Sequence, residues 1–436
     1  MEERVGTFTG LRIGLSSLQS QQAAIEVTSG NVANVNTPGY HRRRVVMSES
    51  PTTPGGVAVV DVTRIKSNYL YARIEAAEAE KAAAQVSSEI MQQVEFILGA
   101  TPDKSLSSIL DRFFNALREL SAKPEDPSLR TVVVETGRDV AAAFNSLHSA
   151  LSELQKSLGA QADQLVEQAL KSARTTAEAN AKAAQAGSKH PELADRRDQA
   201  LRELAQVLGT KSSPDGSAAF IGGTSVVQDG WLREFGLTYS ADGTQLIWLE
   251  SGGAVQNVKG SLGETLRLRN EVLPAYIKQL DDLALSFANA VNELHKQGID
   301  LDGNAGSELF FASTAADIRI NPDIASSPHK LAVSESGAPG DGGIARRIAD
   351  LADTVGEQYR TMLGRLGAEV RASRERAELA ETSLQTLTVQ EQSVSGVSLD
   401  EELSNLIQFQ RAYEAAARIV SISNELALTI LRMAES

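Results

Sequence analysis

Asp300-Leu301-Asp302-Gly303-Asn304 sets side-chain oxygens at alternate positions, as a calcium loop does at its start. Such a loop needs glycine at its sixth position and glutamate at its twelfth. Those positions hold Ala305 and Phe311, so the run reads as an ordinary turn. The five histidines, His41, His148, His190, His295 and His329, are never closely paired, and no His-Glu-x-x-His run occurs, so a local zinc-peptidase pattern is absent. His295, late on a helical stripe, reads as a satisfied surface or boundary side chain. The chain has no cysteine, and therefore no disulfide, thiolate ligand or thiol nucleophile. It has neither a Gly-x-Ser-x-Gly elbow nor a phosphate loop. The expectation is no catalytic residue, no cofactor and no bound metal.

His41-Arg42-Arg43-Arg44 is a short basic run beside a proline turn. Lys and Arg number 42 against 56 Asp and Glu, a formal net charge of -14, the wrong sign for a chain that neutralises phosphates. The run therefore reads as a partner for acidic neighbours, and no nucleic acid is expected.

Around these residues, 436 positions suggest about three structural units at roughly 150 residues each. Hydrophobic residues at 42% and charged residues at 22% are ordinary globular values, while aromatics at 5% and twelve prolines favour long helices over β-rich cores. No apolar run is long enough for a membrane span, so no membrane insertion is expected. The first ten residues lack the basic start and apolar stretch of a cleavable signal. A cytosolic protein and one exported by an uncleaved route would share these features.

An interior proline costs a helix about 3 kcal/mol, and none occurs between Pro127 and Pro191 or after Pro339. In the first gap Val140, Phe144, Leu147, Leu151, Leu154 and Leu158 alternate by four and three, the stripe of an α-helix. A second stripe runs Leu273, Ile277, Leu280, Ala284, Phe287, Val291, Leu294, with Gly298 as its stop. A third, predicted as one helix, runs Ile344, Ile348, Leu351, Val355, Tyr359, Met362, Leu366. Each stripe needs a partner, which long antiparallel packing supplies.

One region, roughly Lys211 to Arg269, breaks the helical pattern. Phe235, Leu237 and Tyr239, then Asp242-Gly243, then Leu246 and Trp248 predict a β-hairpin with a type I′ turn. So small a module is expected as an insertion resting on the helical body.

At the N-terminus Leu11, Leu15, Leu18, Gln22, Ile25, Ser29 and Val32 hold a heptad register with two polar core positions. At the other end Ser398-Leu399-Asp400-Glu401 reads as a capping box. Beyond it Leu399, Leu403, Leu406, Tyr413 and Val420 form one stripe, and Ile419, Ile422, Leu426, Ile430 and Met433 another. A helix apolar on two sides wants more than one neighbour, which points to further subunits. The fold class expected is mainly α: long antiparallel helices, in a coiled coil or bundle, formed by discontinuous N- and C-terminal segments, with a small β-rich insert. The division expected is a terminal coiled-coil domain from 1–66 and 390–436, a helical body from 67–210 and 271–389, and a β-rich outer domain at 211–270.

Asn34 and Asn36 end the first helix in left-handed or capping conformations, Pro38 forbids its continuation, and Gly39 permits a tight reversal. As a string, Asn31-Val32-Ala33-Asn34-Val35-Asn36-Thr37-Pro38-Gly39-Tyr40 resembles the N-terminal signature of bacterial flagellar axial proteins. Asp195-Arg196-Arg197-Asp198, Leu273-Pro274, Gly298-Ile299-Asp300-Leu301 and Phe310-Phe311 resemble the body of the flagellar hook-associated protein 1 (FlgK) family. Ser395 to Glu402, continued through Asn405-Leu406, Gln410, Tyr413 and Ala415 to Arg418, is similar to that family's C-terminal signature.

The resemblance implies a non-enzymatic junction subunit between hook and filament. It implies export, unfolded and uncleaved, through the flagellar type III apparatus to the extracellular flagellum. The implied partners are the hook protein, the second hook-associated protein and filament subunits, copies of the chain itself, and a flagellar export chaperone. The residues assigned to assembly are Leu11, Leu15, Leu18, Ile25, Asn34, Asn36, Thr37, Pro38, Gly39, Tyr40, Leu399, Leu403, Leu406, Tyr413, Val420, Leu426 and Ile430. The alternatives are another axial subunit, the hook protein or the second hook-associated protein, or an axial scaffold whose β-rich insert binds or catalyses.

Overall fold

The computed structural model describes residues 2–37, 39–99, 105–186, 191–240, 243–338 and 340–435. Helix α1 (Glu2–Ala33) is followed by an antiparallel hairpin of β1 (Arg43–Glu49) and β2 (Val57–Arg64), with a register shift between Val46 and Met47. This hairpin corrects the expectation that only 211–269 departs from helix. Its signals are the valines at 45, 46, 57, 59, 60 and 62 and the Pro51 to Gly56 turn, where Gly55 takes φ +74°. The hairpin lies along α1, where Arg12 donates to the Thr52 carbonyl and Ser20 Oγ to the Val57 carbonyl at 3.1 Å.

Helices α2 (Asn68–Gly99), α3 (Leu106–Ala122), α4 (Pro127–Ala186) and α5 (Pro191–Leu208) follow. Ser105 caps α3 by accepting from the Ser108 amide. The long α4 matches the proline-free gap, and five of the six stripe residues from Val140 to Leu158 are buried, with Leu147 half-buried.

Four antiparallel strands, β3 (Lys211–Ser212), β4 (Ala218–Ile221), β5 (Thr224–Gln228) and β6 (Trp231–Leu232), pair in chain order, and β7 (Phe235–Ser240) pairs with β8 (Gly243–Trp248). The hairpin expected there exists, but its register pairs Ser240 with Gly243, so Gly243 sits in the ladder and not at the turn centre. Asp242 lies outside the described residues. The β-rich stretch is also shorter than expected, because α6 (Gly260–Arg267) begins inside it.

A π-helical turn at Leu268–Val272 joins α6 to α7 (Leu273–His295). Pro274 explains the turn. It has no N–H to give, and the wider turn moves the defect to a carbonyl that something else can reach. Leu273 N–H bonds the Leu268 carbonyl, and Gln155 Nε2 of α4 donates to the Arg269 carbonyl at 3.0 Å.

The short strands β9 (Phe310–Phe311) and β10 (Arg319–Ile320) and helix α8 (Pro322–Ser326) lead to α9 (Gly343–Ala349), α10 (Ala352–Ser395) and α11 (Leu399–Glu435). The third predicted stripe is therefore two helices broken at Asp350 and Leu351, although Ile344, Ile348, Val355, Tyr359, Met362 and Leu366 all stay buried. Helices α2 and α10 run antiparallel, with Tyr359 hydroxyl donating to the Leu98 carbonyl and Lys81 paired to Glu381.

Two apolar cores result. One joins α2, α3, the first half of α4, α7, α9 and α10 around Phe113, Phe114, Phe144, Phe287 and Phe310, whose ring centroids lie 5.0 to 6.2 Å apart. The other packs Ala162, Ala169 and Ala173 of α4 and Leu201, Leu204 and Leu208 of α5 against Ile221, Val227, Phe235 and Leu246. Between the elements of the first core, His295 is fully buried and not at the surface as expected. Its Nδ1 reaches the Ser307 carbonyl at 2.6 Å and its Nε2 accepts from Ala332 N–H at 3.0 Å, so it is held neutral and burial pushes its pKa down. Asp300 to Asn304 is a turn closed by Asp300 Oδ1, which accepts from the amides of Asp302 and Asn304.

Candidate functional site

The chain ends meet as an antiparallel pair. Gly10 lies against Ser423 and Gly14 against Val420, while Asn31 at the far end of α1 reaches Glu402 near the start of α11. The surfaces in contact are small. The buried residues are Gly14, Ser20, Ala24, Thr28 and Asn31 on α1 and Glu402, Ala416 and Ser423 on α11. A Cβ on Gly14 would stand 2.8 Å from Val420 Cγ2, closer than packed carbons approach.

This arrangement overturns the expectation that the leucine heptads face each other. Leu15, Leu399, Leu403, Tyr413 and Leu426 are exposed. Leu11, Leu18, Ile25, Leu406, Val420 and Ile430 are half-buried. Gln22 and Ser29, the polar heptad positions, are exposed as well. Small residues let the backbones close up, and that contact turns the large apolar side chains outward.

The signature turn is built on Asn31. Its Nδ2 donates to the Arg43 carbonyl at 2.8 Å and to Glu402 Oε2 at 2.9 Å, and its Oδ1 accepts from Tyr40 hydroxyl at 2.8 Å and Arg43 N–H at 3.0 Å. Helix α1 stops where Asn34 Nδ2 turns back on the Gly30 carbonyl and Thr37 Oγ1 bonds Asn34 Oδ1. Of the two expected alternatives, a left-handed or a capping conformation, Asn34 takes the capping one and neither asparagine is left-handed; Gly39 is, at φ +78°. Asn36, Thr37 and Gly39 are exposed and Tyr40 is half-buried, while Pro38 lies outside the described residues. Burial pushes the Tyr40 phenol up, with Asp195 and Glu402 adding to the shift and Arg43, 4.9 Å over its ring, opposing it.

The basic run finds acidic partners from distant parts of the chain. Arg42 binds Glu401 and Glu402, each at 2.7 Å. Glu401 thus serves Arg42 and not the capping box expected of it. Arg43 binds Asp195 at 2.6 Å, and buried His41 lies 3.5 Å from both Asp195 and Glu391. Arg64 bridges Asp195 and Asp198, and Lys66 binds Asp198 at 2.9 Å. Burial alone would push Asp195 up, but His41 beside it and hydrogen bonds from Arg43 and Arg64 hold its carboxyl at about 2. Asp198, wholly buried, is likewise held low by Lys66 and Arg64 against its desolvation. Burial pushes Lys66 down. The cluster joins the hairpin, the segment before α2, α5, the end of α10 and α11. A groove of about 910 Å³ runs over it between the signature turn and the segment Gln392 to Ser398, the end of α10 and the connector to α11.

In the sequence Asp195-Arg196-Arg197-Asp198 stands only as family resemblance, Asn31 and Glu402 fall only within the two signatures, the basic run is paired with acidic neighbours left unnamed, and Arg64 and Lys66 are not singled out. A signal was present. Asp195 and Asp198 stand three apart on one helix face, opposite in charge to His41-Arg42-Arg43-Arg44. Among the described residues no group of histidine, aspartate and glutamate side chains could hold a metal ion, and no helix is long and apolar enough to cross a membrane.

Three family models match along the chain: the basal body rod protein model at residues 11–41, the FlgK helical domain of flagellar hook-associated protein at 91–310, and the C-terminal model of the basal body rod proteins FlgEFG at 390–433. Flagellar hook-associated protein 1 of Bacillus subtilis is 28% identical over 96% of this chain and 97% of its own length. Those of Escherichia coli and Salmonella typhimurium are 28% and 27% identical over 68% of this chain, which spans 58% of each. The flagellar hook junction protein FlgK of Burkholderia pseudomallei superposes with a TM-score of 0.49 at 23% identity, covering 56% of this chain and 46% of that one. With the helical-domain model covering half of the chain between the two rod-protein end models, the chain belongs to the flagellar hook-associated protein FlgK family and is a structural component of the bacterial flagellum.

Proposed function

We infer that this chain is the structural subunit that joins the flagellar hook to the filament. The observation that carries the reading is the small-residue seam between α1 and α11, which completes the pairing of the two ends and leaves Leu15, Leu399, Leu403, Ile407, Ile419, Ile422 and Leu426 exposed. So much apolar surface on one helix pair is costly in water and is covered when neighbouring subunits pack against it. The terminal pair forms the inner layer, the helical body and β module lie outside it, and the ion cluster fixes the angle between them.

The partners in this reading are copies of the chain, the hook protein on one side, and the second hook-associated protein and filament subunits on the other. An export chaperone holds the apolar ends before assembly, and the chain leaves the cell by the flagellar type III route without cleavage. The role needs no catalysis, no cofactor and no metal. Deleting the gene tests it. Cells should build hooks without filaments and release flagellin into the medium, and a wild-type copy should restore filaments. Normal filaments in the deletion strain would refute the role.

A further inference from the structure

We propose that Glu75 is a proton-controlled tether between the outer β module and helix α2, gripping β3 when protonated and releasing it when ionised. Glu75 is 2% exposed and projects from the first turns of α2 into the contact with β3. One carboxyl oxygen accepts from Ser212 hydroxyl and the other from Ser212 N–H at 3.3 Å. Among the described residues no cation forms an ion pair with it. The cation that pulls on it, Lys66 from the segment before α2, is committed to Asp198 at 2.9 Å and lies 3.3 Å over the Tyr71 ring.

The other groups facing this corner do not supply a counter-charge. Asp198 of α5 is a second carboxylate and opposes ionisation, and Tyr71 on α2 gives its hydroxyl proton to the Asp198 carbonyl. Glu78, one turn further along α2, adds another acid, itself pushed up by burial against the opposing pull of Arg202 of α5, which lies over the Tyr71 ring at 5.6 Å. A carboxyl in such a place is comfortable neutral. Ionised, it is a buried charge held by one serine. Burial accordingly pushes Glu75 up to about 7, against the pull of Ser212 and Lys66.

The part that yields is small. Strand β3 has two residues, edges its sheet, and pairs with β4 only through Lys211 with Phe220 and Ser212 with Ala219. The apolar core beneath β4 and β5 does not depend on it. The folded-state value lies above that of an unfolded glutamate, so the grip is complete below the ordinary carboxylate range and is lost as pH rises through about 7.

Hydrogen exchange of the amides at 209–213 in the full-length protein, corrected for the intrinsic pH dependence of exchange, tests this. Local opening should increase about tenfold between pH 6 and pH 8.5 in the wild type. It should stay flat in Glu75→Gln, whose amide oxygen can accept from Ser212 N–H while its NH2 donates to Ser212 Oγ, without a charge. Identical profiles in the two proteins would overturn the proposal. The carboxyl carbon of Glu75, followed by NMR in the wild type, gives a second reading that needs no variant: titration near pH 7 supports the tether, and titration below pH 5 overturns it.

Discussion

Asn31 Nδ2 donates to Glu402 Oε2 at 2.9 Å, a buried bond between residues 371 positions apart. It is the point where the first helix recognises the last, and the same amide also holds Tyr40 and Arg43. The signature turn and the C-terminal helix are therefore one structure.

Replacing Asn31 by alanine should consequently unpair several groups at once. The Arg43 amide and Glu402 would be left buried with partners missing, at about 1 to 3 kcal/mol for each unsatisfied group. Limited proteolysis of Asn31→Ala should cut within α1 and α11 much sooner than in the wild type, with cleavage of the helical body unchanged. Asn31→Asp should be worse, because it sets a carboxylate against Glu402. Equal proteolysis of all three would show that the seam alone holds the ends.

Much of the helical frame was legible in the residues, and the reasons differ from element to element. The stripes of α4 and α7 face a deep core on one side only, so periodicity alone reveals them. The ends read wrongly because a heptad of leucines looks like an interior, and here the interior is Gly14, Ala24, Ala416 and Ser423. Apolar periodicity identifies a contact face without saying whose face it meets. The ion cluster was legible only as two runs of opposite charge, because its members come from positions 41 to 66, 195 to 198, 391 and 402, and no local pattern joins them.

A glycine variant on α1 and leucine variants on α11 should separate the two faces. Gly14→Val drives its side chain into Val420 and should pry α1 from α11, lowering the melting temperature of the terminal pair. Leu403→Gln and Leu426→Gln touch exposed positions and should leave monomer melting within about 0.5 kcal/mol of wild type. Both should nonetheless fail to restore filaments in a deletion strain. Full complementation by Leu403→Gln together with Leu426→Gln would mean that the exposed stripe makes no lattice contact.

Acid should weaken the joint before the body. The Asp195 carboxyl is held at about 2, below its unfolded value, so its contribution of about 2 kcal/mol is present above roughly pH 4 and is lost as pH falls toward 2. Asp198, held low by the same cations, adds to the loss over that range. In Asp195→Asn the acid limb of the stability curve should flatten and stability at pH 7 should fall, because Arg43 and Arg64 keep their charges without that partner. An acid limb as steep in Asp195→Asn as in the wild type would place the acid sensitivity elsewhere.

The β module is expected to be structurally indispensable even where it makes no contact with a neighbour. Its strands do not rest on a finished helical body; they complete the second core. Leu201, Leu204 and Leu208 of α5, Ala169 and Ala173 of α4, and Leu262 and Leu266 of α6 all pack against Ile221, Val227, Phe235 or the residues around them. Each leucine stripped of that cover forfeits roughly 1.5 to 3 kcal/mol. Several are lost together, which rivals the whole stability of a domain. A chain in which a short Gly/Ser linker replaces residues 213–257 should therefore be insoluble or rapidly degraded and scarce in the culture medium. Trp231→Ser, at a half-exposed position on the same module, should fold and be exported normally. Soluble yield and cooperative unfolding of the purified proteins, read beside the amount exported, distinguish a lost core from a lost contact. A truncated chain that unfolds cooperatively at the wild-type temperature would show that α4, α5 and α6 close their core without the strands.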